Sequence, residues 1–298
     1  MYPGGDKTAP PSGRMPRGGF YFDAIVRQPA IDDDHLHVED NLEEFGFISE
    51  SELVHFRSEA ERLYQETDKV IMANFGGTQF GNQALIPAPW LKHPKGIRDL
   101  EEWFISLKMR PDYVRRVFER QCEIALLNLE KIYQAVGNRI SVIYVSGTDF
   151  GTQKGPFVAP QTYRDLYKPF FKQVNDWVHQ HTSWKTFIHS CGSVYAFIEE
   201  FIESGFDILN PVQCSAAQMD PSELKGKFGD RISFWGGGVN TQHTLPFGTP
   251  EEVRKEVRER IEIFSPGGGF VFSAIHNIQP RTPIENVLAL FETIKEYR

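Results

Sequence analysis

Two apolar periods alternate along this chain. Short, nearly continuous apolar runs are each followed by a longer stretch in which apolar positions return every three to four residues. These are the patterns of buried strands and of amphipathic helices. The order becomes regular at Ser49, which has the capping-box spacing to Glu52 and opens a helix running to about residue 67. A strand over residues 69–75 ends in Gly76-Gly77. Helical periodicity covers residues 100–136 in two pieces, divided near Arg110-Pro111 because proline cannot continue a preceding helix. The strand over 140–145 then precedes a helix over 160–181, and the strand 185–188 a helix over 193–204. Strand 207–210 precedes helix Pro221–Phe228, strand 232–236 precedes helix Pro250–Phe264, and strand 269–274 precedes a helix over 283–297.

Strands alternating with helices predict parallel pairing in βαβ units. Two architectures satisfy that order, an open doubly wound sheet and a (β/α) barrel. The polar residues fall after the strands, at Asn74, Asp149, His189, Cys191, Asn210, Gln213, Asn240 and His276. An open sheet gathers its ligand groups at one switch point, whereas a barrel shares one mouth among all strand ends, so the barrel is preferred. Upstream, residues 19–26 offer a further strand or edge hairpin. Residues 31–46 are acidic and irregular, and the run from Asp32 to His37 reads as a solvated loop in preference to a metal site. Residues 1–19, rich in Gly, Pro, Lys and Arg, read as a flexible arm, and residues 20–298 as the barrel domain.

Composition narrows the partners. The chain has 298 residues and a net charge of -8, which argues against nucleic acid, since phosphate binding needs a basic face. The longest apolar runs are too short for a bilayer and no apolar leader opens the chain, so a cytoplasmic protein without a membrane partner is expected. Three cysteines, Cys122, Cys191 and Cys214, fit free thiols in a reducing compartment.

The chemistry concentrates at His189-Ser190-Cys191-Gly192. Residues i and i+2 at a strand end point to the same side, so an imidazole and a thiolate converge there and suit zinc. His276, after the last strand, is the natural third ligand, and Cys214 or Gln213 a fourth. Three protein ligands leave a position for a substrate, the layout of a catalytic zinc. Either residue of the His-x-Cys pair alone would be read as packed or hydrogen-bonded. Asp149 orients a substrate or acts as a base, or else is a turn aspartate bonding its own loop. Asn74, Asn210, Gln213 and Asn240 are the candidate substrate-binding residues. Gly236-Gly237-Gly238 permits close approach of backbone to a ligand, but no helix follows directly, so it is not a phosphate-binding fingerprint.

Taken together, residues 147–153 (Gly-Thr-Asp-Phe-Gly-Thr-Gln), His189-Ser190-Cys191-Gly192, residues 207–213, Trp235-Gly236-Gly237-Gly238 and residues 276–280 resemble the uroporphyrinogen decarboxylase superfamily. The resemblance runs from about Gly18 to the C-terminus and is closer to the corrinoid-dependent methyltransferase branch than to the decarboxylases. It implies a (β/α)8 TIM-barrel-like fold with the N-terminal one or two βα units missing or irregular, since six units are visible. It also implies zinc at His189, Cys191 and His276. The methyltransferase branch more often carries cysteine at the last of these positions and the decarboxylases histidine. The arginine-rich decarboxylase signature is not found. The implied activity is zinc-dependent movement of a methyl group between a small-molecule donor or acceptor and cobalamin on a partner corrinoid protein. No Asp-x-His-x-x-Gly segment for holding cobalamin occurs in this chain. A metal-free decarboxylase, or a non-catalytic barrel acting as a binding partner, is the alternative, and homo-oligomerisation is left open.

Overall fold

The computed structural model describes residues 1–19 and 22–297; Phe20 and Tyr21, within the expected strand at 19–26, and Arg298 lie outside the described residues. The chain divides into two compact units, residues 1–148 with 160–186, and residues 149–159 with 187–298.

The first unit is organised by the helix Pro111–Val136. Its buried residues Val114, Val117, Phe118, Gln121, Ala125, Asn128, Leu129 and Ile132 follow the three-to-four spacing of one helical face. Phe118 meets Trp103 of the helix Leu100–Met109 at 5.9 Å between ring centroids and Tyr167 at 4.9 Å. The two helices break at Arg110, as Pro111 requires. Asn128 is a buried polar residue of this face, and its amide is fully used. It accepts from the Ile48 N–H at 3.0 Å and donates to the Gly46 and Gly77 carbonyls, each at 2.9 Å. The helix Glu50–Glu66 begins with the expected capping box. An antiparallel pair, β1 (Gly13–Arg14) and β2 (Asp23–Ala24), precedes it.

In this unit β3 (Met72–Ala73) lies parallel to β4 (Val142–Ser146), with Met72 opposite Val142. β3 is much shorter than the predicted run, because Asn74 turns the chain. Its side-chain oxygen accepts from Gln79 Nε2 and from the Gly76 N–H. The helix expected over 160–181 is interrupted by a wider π turn at Tyr163–Tyr167. The Lys168 N–H reaches back to the Tyr163 carbonyl just before Pro169, so the bulge accommodates a residue that lacks an N–H.

The second unit holds the C-terminal residues Phe187–His189 of β5 (Lys185–His189), then β6 (Ile208–Asn210), β7 (Ser233–Trp235) and β8 (Phe270–Val271). Each pairs in parallel with the next, and a helix follows each strand: Tyr195–Glu203, Pro221–Phe228, Pro250–Phe264 and Ile284–Lys295. Val253, Val257 and Ile261 of one helix pack with Ala289 and Leu290 of another to form its core. Ile188, Leu209 and Phe234 are wholly buried, as expected for strands covered on both faces.

β8 ends at Val271, three residues before the predicted boundary. Beyond it the chain continues beside residues 236–239. Gly236 N–H donates to the Val271 carbonyl, Gly238 N–H to Ser273 and Ile275 N–H to Val239. A Cβ on Gly238 would stand 2.4 Å from the Phe272 ring. The glycine run, expected to admit a ligand, thus admits Phe272. No helix among the described residues is long and apolar enough to cross a membrane.

Candidate metal centre

His189 closes β5 and Asn210 closes β6, and the parallel register sets them opposite each other. His189 Nδ1 lies 2.7 Å from Asn210 Oδ1, and Asn210 Nδ2 donates to the Trp235 carbonyl at 2.9 Å. The Ser190 N–H donates to the Asn210 carbonyl at 2.6 Å, so the chain leaving β5 stays tied to β6. One residue later Cys191 Sγ stands 3.3 Å from His189 Nε2. Asp149 approaches from the loop after β4, and its Oδ1 accepts from the Cys191 N–H at 2.7 Å. Ligand atoms from Asp149, His189 and Cys191 all lie within 4.8 Å of one another.

Close contact between two loops produces this convergence. Gly192 has φ of 85°, and a Cβ there would lie 2.3 Å from the Gly151 carbonyl oxygen. A Cβ on Gly151 would lie 2.6 Å from the Ser193 nitrogen. Only two glycines allow the backbones to meet in this way. The buried Ser190 hydroxyl accepts from the Phe150 N–H at 2.9 Å, and the Ser193 N–H donates to the Thr152 carbonyl at 2.7 Å. Phe150 packs on Phe197 and Phe201, with ring centroids 5.4 and 5.8 Å away. Gln213 Oε1 accepts from the Gly192 N–H at 2.8 Å. Every neighbour of the cysteine is thereby held.

Burial, and after it the Asp149 charge, pushes the Cys191 thiol up to about 12. A carboxylate beside a half-buried thiol opposes thiolate formation, and a divalent cation between them reverses that opposition. The donors are one sulfur, one imidazole nitrogen and one carboxylate oxygen. All three types bind zinc, and three protein ligands leave a fourth position open. The residues present therefore fit the ion.

His276 is not in this group. It lies exposed on the segment that follows β8, five residues past the strand end. Asp149, predicted as a base or substrate-orienting residue, takes the third place in the cluster. Cys214 is also outside it. Its sulfur donates to the Val212 carbonyl at 3.5 Å, and burial pushes its thiol up to about 12. Of the predicted substrate-binding residues, Asn210 contacts His189 and Gln213 the Gly192 backbone. Asn240 Oδ1 accepts from the Gln242 and His243 N–H groups, the bonding of a turn, and the Asn74 side chain is used within its own loop. Ser190 and Gly151 were not singled out in the sequence. Both belong to the family-like segments quoted above, which is the signal that could have found them.

Comparison with known proteins places these residues in context. The family model for uroporphyrinogen decarboxylase (URO-D) matches residues 91–297. A uroporphyrinogen decarboxylase of Coxiella burnetii is 31% identical over 78 residues, which cover 26% of this chain and 21% of that protein. The methylcobamide:CoM methyltransferase MtaA of Methanosarcina barkeri is 27% identical over 140 residues, 47% of this chain and 38% of that protein. The chain thus spans well under half the length of these curated relatives. A solved methyltransferase from Methanosarcina mazei superposes with a TM-score of 0.57 at 18% identity, covering 83% of this chain and 64% of that one. That likeness establishes a shared TIM-barrel-like fold.

Proposed function

The chain belongs to the uroporphyrinogen decarboxylase family, and on that premise we propose that it is a zinc-dependent methyltransferase. It moves a methyl group between a small-molecule donor or acceptor and a corrinoid carried by a partner protein. The observation that carries this reading is the convergence of Asp149, His189 and Cys191 within 4.8 Å. The methyltransferase among the relatives, named for a methylcobamide, supports the corrinoid.

His189, Cys191 and Asp149 would hold zinc, with one position open. Zinc there supplies Lewis acidity, which lowers the pKa of a thiol or water offered to the open position. The chain's own residues do the positioning. Asp149 holds the Cys191 backbone, Gln213 holds that of Gly192, and Ser190 holds the loop that carries Asp149.

The test uses the purified full chain. Zinc content is measured by mass spectrometry, and demethylation of methylcobalamin is followed by visible absorbance with a panel of small thiols as acceptors. About one zinc per chain is expected, with activity lost on chelation and restored by zinc. Full activity in metal-free protein ends the proposal. The decarboxylase relatives favour a second reading, metal-free decarboxylation. That reading predicts acid-substrate turnover indifferent to both chelator and Cys191→Ser.

A further inference from the structure

We infer that Asn210 is a positioning residue that fixes which nitrogen of His189 carries the proton, and so presents Nε2 to the cluster. Its amide is oriented by β7. The Trp235 backbone carbonyl can only accept, so the Asn210 group 2.9 Å from it is the donating amino group. The group turned to His189 is therefore the amide carbonyl, which also can only accept. At 2.7 Å from it, His189 Nδ1 carries the hydrogen. The neutral ring then keeps its lone pair at Nε2, the atom 3.3 Å from Cys191 Sγ.

The register makes this arrangement a property of the sheet. His189 and Asn210 are opposed in adjacent parallel strands, and Trp235 closes the next strand. The Ser190 N–H bond to the Asn210 carbonyl, 2.6 Å, anchors the same residue through its backbone. With each end of its amide engaged by protein, Asn210 acts through His189, whereas the sequence suggested a substrate contact. Metal-bound histidines are commonly oriented by a partner on the other ring nitrogen, and loss of that partner costs about 10–100-fold in metal affinity. That consequence rests on the zinc reading proposed above; the tautomer itself does not.

The experiment uses the 15N-labelled, metal-free 298-residue chain and long-range proton–nitrogen spectra, with His189 assigned by its loss in His189→Gln. The expected spectrum at alkaline pH is that of a ring protonated at Nδ1 and bare at Nε2. Asn210→Leu should move the ring toward the Nε2–H form and weaken zinc binding by about 10–100-fold in chelator competition. Asn210→Asp, which still accepts from Nδ1, should keep the Nδ1–H form and recover affinity to within a few-fold. A parent ring protonated at Nε2 overturns the inference, as does Asn210→Leu that retains the parent tautomer. If Asn210→Leu does not fold, the parent spectrum and Asn210→Asp decide. A parent protein with the Nδ1–H tautomer that fails to bind zinc supports the inference about Asn210 and overturns the metal reading.

Discussion

Replacing Gly192 with alanine should abolish tight zinc binding through a contact that touches no ligand atom. The added Cβ would stand 2.3 Å from the Gly151 oxygen, 2.5 Å from the Gly151 carbonyl carbon and 2.7 Å from the Thr152 oxygen. Carbon–oxygen contacts of about 3.3 Å are already close, so the two loops must part by roughly 1 Å. These neighbours are backbone atoms that cannot rotate aside. The φ of 85° adds strain for any residue with a Cβ, about 1–2 kcal/mol, and overpacking adds about 1–3 kcal/mol. Parting the loops separates Asp149 from Cys191, while zinc bonds tolerate only about 0.2 Å. Zinc affinity, read by competition with a chromophoric chelator, should fall on the order of 100-fold, or about 2.7 kcal/mol. Gly155→Ala is the control, because it lies in the same loop with nothing within 4 Å of the added carbon. It should bind zinc like the parent. A Gly192→Ala protein with parental affinity would refute the crossing of glycines as the device that assembles the site.

Three further outcomes are expected. In metal-free protein Cys191, with its thiol pushed up to about 12, should alkylate on the order of 100-fold more slowly at pH 8 than an ordinary thiol of pKa about 8.5, since its far smaller thiolate fraction is only partly offset by the greater nucleophilicity of that thiolate. Asp149→Asn removes a charge that raises this pKa, so the rate measured by mass spectrometry should increase; an unchanged rate contradicts the assigned cause. His276→Ala should retain zinc at the parental ratio, whereas Asp149→Ala, His189→Ala and Cys191→Ser should each lose it in the same metal analysis. In the first unit, Arg98 is 1% exposed and pairs with Glu44 through two bonds of 2.7 and 3.0 Å. Glu44→Gln should lower urea stability by about 1–3 kcal/mol, since the buried Arg98 would lose its closest carboxylate and keep Glu43 at 3.6 Å, while Arg62→Ala, on exposed pairs with Glu59 and Glu66, should have no resolvable effect.

The repeat of strand and helix was legible because covered strands and amphipathic helices write different periods. Pro221–Phe228 and Pro250–Phe264 come out at the predicted bounds, each with an N-cap residue and a proline at the first turn. Strand ends were less legible. Asn74 ends β3 by bonding its own loop, and β8 gives way to an irregular segment that Phe272 wedges against Gly238. Neither event leaves a periodic trace. His276 lies exposed on the segment after β8, outside the cluster of Asp149, His189 and Cys191. His189 and Cys191 were readable because their spacing is local. Asp149 reads from sequence either as a base or substrate-orienting residue or as a turn aspartate, and its place in the cluster depends on two glycines 41 residues apart meeting backbone to backbone, Gly151 and Gly192. That is tertiary information. The double engagement of Asn210 likewise depends on register across three strands.

The most direct test is X-ray absorption at the zinc edge on the zinc-loaded 298-residue chain. Asp149, His189 and Cys191 with one exchangeable ligand predict a single sulfur at about 2.3 Å and nitrogen or oxygen neighbours at about 2.0–2.2 Å, the sulfur vanishing in Cys191→Ser. Two sulfur neighbours, or a spectrum that Cys191→Ser leaves unchanged, would contradict the assignment of this cluster as the metal centre.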